Sequence, residues 1–154
     1  MGSCIACDLI NGIAELPGGQ IYSTDFWVVE HCIGPFGVGS LIVKPRRHCV
    51  HYWDLSSDEA LEVGPLLKLV STALKSVLEV DQVYICLWSH MNWEPCHIHF
   101  LVQPISTDIK CEYAKNGAYL QIGMIEKSNY PDKEKAEELA IKVKQTIAEI
   151  KDKW

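Results

Sequence analysis

The segment from His97 to Gln103 restricts the fold of this chain more than any other stretch of its sequence. Apolar residues occupy alternate positions in it, which predicts a β-strand with one face packed in a core. The opposite face carries His97, His99, Leu101 and Gln103, and the two histidines lie about 7 Å apart along the strand. A lone histidine is usually a structural residue, whereas two histidines on one strand face favour a functional site.

The rest of the chain predicts both strands and helices around this segment. Ser56, followed three residues later by Glu59, is typical of a helix start, and apolar residues then recur at helical spacing as far as Val80. Pro65 should kink this helix or begin a new first turn. Strands are predicted at 20–23, 26–31, 40–44, 83–89 and 97–103, a short helix after Thr107 in an otherwise irregular segment 105–130, and a C-terminal helix at 131–152. Antiparallel strands with one long central helix and a C-terminal helix indicate an α+β fold.

The composition is that of a globular protein. The 154 residues suit one domain, and 48% of them are hydrophobic, so a single domain over 1–154 is predicted. No apolar run approaches about 18 residues and no basic-then-apolar leader opens the chain, so we expect a cytoplasmic protein without a membrane partner. The net charge of −6, with scattered basic residues, argues against nucleic acid as a partner.

Seven cysteines are an odd number for a set of disulfides, and without an export signal they are expected to be reduced thiols. Cys4 and Cys7 form a C-x-x-C pair, which supplies two zinc ligands from one turn. His48 and His97 would complete a tetrahedral Cys₂His₂ site. These spacings match no zinc finger, so the residues alone leave the metal site open. The other cysteines are typical of small buried apolar residues.

Five motifs, in this order, resemble the histidine triad superfamily and together span nearly the whole chain. They are Cys4-x-x-Cys7-Asp8-Leu9-Ile10, Ile21-Tyr22-Ser23-Thr24-Asp25, Gly39 to His48, the helix start Leu55-Ser56, and His97-Ile98-His99. The resemblance implies an α+β fold, usually in a homodimer. It also implies that the ligand is a nucleotide or a nucleotide-like small molecule, processed by a hydrolase or a nucleotidyl transferase.

The resemblance also implies roles for particular residues. Cys4, Cys7, His48 and His97 would form the structural zinc site of the zinc-bearing members, and His99 would be the nucleophile. A neutral imidazole can attack the α-phosphorus, displace the leaving group and pass the nucleotidyl group to water or another acceptor. Zinc at His97 would stiffen the strand that presents His99 without acting on the substrate itself.

Two positions depart from the superfamily pattern. Leu101 replaces the third histidine of the triad, and Gly39-Ser40 stands where the superfamily has Gly-His. The third histidine helps to hold the phosphate, so its loss should weaken stabilisation of charge in the transition state. The galactose-1-phosphate uridylyltransferase branch has glutamine at this place, and replacement alone therefore does not exclude catalysis. The alternative function is a zinc-stabilised protein that binds a nucleotide or a phosphorylated metabolite without turnover.

Four residues are candidate substrate contacts, each with a structural alternative. Gln103 lies one step beyond Leu101 on the histidine face, although a solvated amide at a strand end is its commoner role. Asn92 and His90 belong to the loop that holds the phosphate in the superfamily, where a turn residue and an exposed histidine are the alternatives. Trp27 falls where the nucleoside pocket of the superfamily begins, with core packing as its alternative.

Overall fold

An antiparallel sheet of five strands organises the protein, of which the computed structural model describes residues 4–89 and 96–152. The strands are β1 (Gln20–Ser23), β2 (Trp27–His31), β3 (Leu41–Pro45), β4 (Gln82–Trp88) and β5 (His99–Ile105). Their spatial order is β1-β2-β3-β5-β4, so β5 has a neighbour on each side and β4 forms an edge. Each strand corresponds to a predicted one, with bounds shifted by at most two residues.

Within the described ranges the chain also forms helices α1 (Ile5–Ile10), α2 (Ser57–Val77), α3 (Thr107–Tyr113), α4 (Ala118–Glu126) and α5 (Lys133–Lys151). The long central helix and the C-terminal helix are those that the sequence predicts, and the α+β fold class is confirmed. None of these helices is both long and apolar enough to cross a membrane.

The helix α2 begins at the predicted capping box. Ser56 Oγ accepts a hydrogen bond from the backbone N–H of Glu59 at 3.2 Å, and Glu59 Oε2 accepts one from the backbone N–H of Ser56 at 2.7 Å. The Arg47 guanidinium donates to both oxygens of the same carboxylate at 2.8 and 2.9 Å and holds the pKa of Glu59 below its ordinary value. The helix then runs through Pro65 without a new start, because buried apolar side chains on both sides of the proline hold the segment against the sheet.

The main hydrophobic core lies between one face of the sheet and the two long helices α2 and α5. Its members include Trp27, Val29, Leu41, Val43 and Val102 from the sheet, and Val70, Leu74, Ala140 and Val143 from the helices. The sheet residues alternate along their strands, as period-2 patterning requires when one face is buried. This core therefore accounts for one face of every strand that carries a candidate residue.

Three shorter helices lie on the opposite face of the sheet, and the sequence predicts only α3 among them. The segment 105–130, expected to be otherwise irregular, contains α4 as well, whose Leu120 and Met124 pack against Ile105 of β5. Residues 118–126 are mostly apolar and lack the polar–apolar periodicity that marks an amphipathic helix. The helix α1 has six residues, which are too few to show a helical period.

The central strand β5 begins at His99 rather than at His97. It pairs with β3 through Leu41–Val102, Ile42–Leu101 and Val43–Phe100. Before the strand, the backbone N–H of Ile98 donates to the carbonyl of Cys49 at 2.8 Å, which ties this segment to the chain that follows β3. His97 therefore lies at the entrance of the strand, outside its regular pairing.

Candidate functional site: a Cys/His cluster beside a histidine pocket

Two cysteines and two histidines converge where α1, the end of β3 and the start of β5 meet. The ligand atoms of Cys4, Cys7, His48 and His97 all lie within 4.8 Å of one another. His97 Nδ1 is 3.8 Å from Cys4 Sγ and 3.6 Å from Cys7 Sγ, and His48 Nδ1 is 3.4 Å from Cys7 Sγ. Zinc with bonds of about 2.3 Å to sulfur and about 2.0 Å to nitrogen would separate these ligands by about 3.6 Å in a tetrahedron. The four residues therefore fit a cation that, like zinc, is coordinated tetrahedrally.

Local structure explains why these side chains meet. Cys4 is the N-cap of α1 and Cys7 follows three residues later, so both thiols lie on the same side of that short helix. The ring of His97 is buried, and its Nε2–H donates to the carbonyl of Pro45 at 2.9 Å. This bond leaves Nδ1 with the lone pair that a metal requires, in the arrangement that commonly orients histidine ligands.

The protonation of the cluster follows from burial. Burial lowers the pKa of His97 to about 4, so its imidazole is neutral at pH 7. Burial, together with the neighbouring Cys4 thiol, raises the pKa of Cys7 to about 11. The Cys7 thiol therefore keeps its proton until a cation compensates the thiolate charge, and metal binding here would release that proton.

The second histidine of β5 lies in a different environment from the first. His99 is half-buried, and its Nδ1–H donates to the backbone carbonyl of His97 at 3.0 Å. A carbonyl only accepts hydrogen bonds, so Nδ1 carries the ring proton and Nε2 carries the lone pair of the neutral imidazole. That is the tautomer that nucleophilic attack through Nε2 requires.

His99 lines a cavity of about 430 Å³ on the sheet face opposite the main core. The walls come from α1, from β2 and the chain that follows it, from β3, from the end of β4, from β5 and from α4. They are predominantly apolar and include Ile5, Leu9, Ile33, Pro35, Phe36, Ile42, Trp88, Leu101 and Ile125. The volume is within the range of small-molecule sites, which is about 300–1,000 Å³.

A buried ion pair belongs to the polar part of this wall. Lys44 Nζ donates to Glu30 Oε1, and the two side chains are 1% and 2% exposed. Burial raises the pKa of Glu30, and the adjacent Lys44 ammonium opposes that shift. Neither residue is among the sequence-based candidates, although a glutamate in Trp27–His31 and a lysine in Leu41–Pro45 interrupt strands that are mostly apolar. A charged residue of each sign in neighbouring buried strands is the signal that could have found them.

Of the four candidate substrate contacts, two do not line the cavity and two lie outside the described residues. Trp27 is fully buried in the main core, where its indole N–H donates to the backbone carbonyl of Glu59 at 3.1 Å, which is the core packing named as its alternative role. Gln103 is also fully buried, because α4 covers it. Its Nε2–H donates a hydrogen bond to Met124 Sδ at 2.9 Å, and its Oε1 accepts one from Gln121 at 3.1 Å. It is therefore not solvated, and its predicted contact with a phosphate stays a prediction.

The two loop candidates, His90 and Asn92, lie outside the described residues. Their predicted contact with a phosphate stays a prediction. Leu101, the replacement for the third histidine, does line the cavity and is 1% exposed. The site thus combines a histidine of defined tautomer with an apolar side chain at the next position on the same strand face.

Comparison with known proteins identifies the fold of this chain. No protein-family model and no curated protein matches the sequence. A zinc-bound histidine triad family protein from Mycobacterium smegmatis superposes with a TM-score of 0.72 at 21% identity, covering 99% of this chain and 98% of that chain. A hypothetical histidine triad nucleotide-binding protein from Sulfolobus tokodaii superposes with a TM-score of 0.73 at 22% identity, covering 97% and 95%.

The chain has the histidine-triad fold.

The resemblance drawn from the five sequence motifs is confirmed at this level. A uridylyltransferase structure also superposes, with a TM-score of 0.67 at 18% identity; the match covers 96% of this chain and 46% of that chain. The histidine-triad fold of this chain brings the Cys/His cluster and His99 together, because both depend on the segment that enters β5.

Proposed function

We propose that the protein is a nucleotide hydrolase or nucleotidyl transferase that acts at the α-phosphate through a covalent nucleotidyl-histidine on His99. The observation that carries this proposal is the hydrogen bond from His99 Nδ1–H to the His97 carbonyl, on a histidine that lines a cavity of ligand size. The structural similarity to histidine triad proteins and to a uridylyltransferase supports it.

The proposed reaction has two displacements at phosphorus. His99 Nε2 attacks the α-phosphorus and forms a P–N bond, while the bond to the leaving group breaks and that group departs with the electron pair and takes up a proton. An acceptor hydroxyl, from water in the hydrolase or from a second substrate in the transferase, then attacks phosphorus and loses its proton. The P–N bond breaks, and its electrons return to Nε2.

The Cys/His cluster is proposed to hold a structural zinc ion through Cys4, Cys7, His48 and His97. When bound, zinc would cross-link the start of α1 to the segments at the end of β3 and the start of β5. Within this chain, His97 links the two functions, since its ring belongs to the cluster and its carbonyl holds His99. The cluster therefore positions the nucleophile and makes no contact with the reacting phosphate.

A covalent adduct provides the test. The protein is incubated with adenosine and guanosine phosphoramidates and with dinucleoside polyphosphates, quenched, and examined by intact mass spectrometry. We expect a nucleotidyl adduct on the wild type and on His51→Asn, whose histidine lies outside both the cavity and the cluster. His99→Asn should show no adduct while keeping its zinc content. Full turnover by His99→Asn would refute the covalent mechanism, and loss of zinc would make His99 a ligand.

The second candidate function is binding without turnover, and Leu101 is the observation that favours it. This side chain lines the cavity beside His99 and has no group that can donate a hydrogen bond to a phosphate. A nucleotide that binds the wild type without forming an adduct and without being cleaved would decide for this function.

The chain is further proposed to be one domain over residues 1–154 that forms a homodimer. The edge strand β4 supports the dimer, since Ile85 is 45% exposed and Leu87 is 39% exposed on it. An exposed edge strand with apolar side chains is suited to pairing with another chain, and a second copy would cover it.

A further inference from the structure

The polar wall of the cavity contains an acceptor that nothing in the described structure satisfies. Glu30 is 2% exposed, and Lys44 occupies only its Oε1 atom. Among residues 4–89 and 96–152, the buried Oε2 atom has no hydrogen-bond partner. Buried polar atoms of this kind are rare, because each loses its hydrogen bonds to water without compensation.

The surroundings indicate that this acceptor serves a ligand. A buried ion pair commonly contributes no more to stability than apolar residues of similar size, so stability alone does not explain it. Glu30 lies opposite Ile42 in the β2–β3 register, and both line the cavity together with His99. The pair thus forms a polar position in a predominantly apolar wall.

The Glu30–Lys44 pair and His99 are placed so that one nucleotide could contact both. β3 lies between β2, which carries Glu30, and β5, which carries His99, so the two backbones are about 10 Å apart. A nucleotide with its α-phosphate at His99 would extend its base across the sheet toward Glu30. The apolar walls would contact the faces of the base, and the carboxylate would meet its edge.

We propose that Glu30 is a specificity-determining residue that accepts a hydrogen bond, through Oε2, from an exocyclic amino group of the nucleotide base. This inference rests on the proposed function, because it takes His99 as the position of the phosphate. Lys44 is a positioning residue that holds Oε1 and so leaves Oε2 for the ligand. The pair is formally neutral, which suits a neutral amino donor better than a cationic group.

Two pairs of nucleotides that differ only in an amino group provide the test. AMP is compared with purine riboside 5′-monophosphate, and GMP with IMP, by calorimetric titration of the wild-type protein. A site built around a hydrogen bond rejects the analogue that lacks it, because its own polar group is then left unpaired. We expect at least one amino-bearing nucleotide to bind about tenfold or more tightly than its partner.

Variants of Glu30 distinguish a ligand contact from a structural role. Glu30→Gln presents an amide N–H in place of the acceptor, and the preference should disappear or reverse. Glu59→Gln is the matched control, a buried carboxylate outside the cavity, and should keep the preference. Should Glu30→Gln fail to fold with Lys44 uncompensated, the double variant Glu30→Met/Lys44→Met removes both charges at similar volume and should fold without the preference.

The outcomes distinguish a failure of this inference from a failure of the proposed function on which it rests. Equal affinity of the wild type for both members of both pairs, or a preference unchanged in the Glu30 variants, would overturn the role of Glu30 while the His99 adduct still formed. Absence of binding to all four nucleotides together with absence of an adduct would overturn the proposed function and this inference with it.

Discussion

Restoring an imidazole at Leu101 tests how the missing triad histidine affects catalysis. Leu101 and His99 are two residues apart on β5, so their side chains share one strand face about 7 Å apart. Both line the cavity, and a histidine at position 101 would add a hydrogen-bond donor beside the proposed position of the phosphate at His99. We expect Leu101→His to increase the rate on a nucleoside phosphoramidate.

The substitution Leu101→His is expected to increase the rate and to decrease the stability of the protein. One donor to a developing negative charge contributes about 10²–10³ in rate, and this is the upper bound for the gain. Leu101 is 1% exposed and lies between Ile42 and Cys86 of the neighbouring strands. Loss of its buried apolar surface therefore lowers the free energy of unfolding by up to about 1.5–3 kcal/mol. For a chain of this size, that lowers Tm by about 3–12 °C.

The assay compares initial rates of wild type, Leu101→His, Leu101→Met and Leu101→His/His99→Asn at 25 °C, with Tm recorded for each. Leu101→Met conserves volume without adding a donor and should leave the rate unchanged. The double variant should be inactive, since it lacks the nucleophile. A wild-type rate that Leu101→His does not increase, in a folded protein that forms the adduct, would refute the reasoning: another group would already stabilise the phosphate charge.

Three further predictions concern the metal, the capping box and the edge strand. Cys4→Ser should lose bound zinc in metal analysis while Cys111→Ser, an exposed thiol outside the cluster, keeps it; undiminished zinc in Cys4→Ser would remove that ligand from the site. The pKa of Glu59 is lowered by its arginine partner, so its stabilisation is present above its unfolded pKa of about 4.3 and is lost as pH falls through the lower folded pKa. Urea unfolding should therefore show Glu59→Gln about 1 kcal/mol less stable than wild type at pH 7, with a smaller difference in acid; an equal difference at both pH values would contradict this. Ile85→Glu should convert a dimer to a monomer by light scattering, whereas Ile141→Glu, an equally exposed apolar position on α5, should not; a dimer that persists in Ile85→Glu would exclude this edge.

The elements predicted from sequence are those whose local signals agree with their packing. The strand around His99 alternates because one of its faces enters the main core, and α2 begins at Ser56 because the capping box satisfies its first N–H groups. Gln103 lies on the histidine face of β5, as the alternation predicts, but it is buried there instead of solvated. Its burial depends on α4, whose apolar sequence carries no period, and a residue's exposure cannot be predicted without the element that covers it.

The candidate site also has one part that can be predicted from the sequence and one part that cannot. The Cys/His cluster follows from motifs that are recognisable in the sequence, although α1, which aligns Cys4 and Cys7, does not. Glu30 and Lys44 belong to no motif: they become neighbours only because β2 and β3 pair in one register. A shift of one residue in that register would turn one of the two side chains to the other face of the sheet, so the ion pair is a product of tertiary structure.

The segment from His97 to His99 joins the two parts of the site through its backbone. The ring of His97 is fixed on one side by Pro45 and on the other by the thiols of the cluster, and its carbonyl accepts a hydrogen bond from His99 Nδ1–H. A rotation of this peptide would release that bond and allow the other tautomer of His99, whose Nε2 cannot attack phosphorus. A cation bound by the cluster would oppose the rotation because it restrains the ring of His97. The metal would therefore influence turnover through the tautomer of the nucleophile, at a distance from the phosphate and without contact with it.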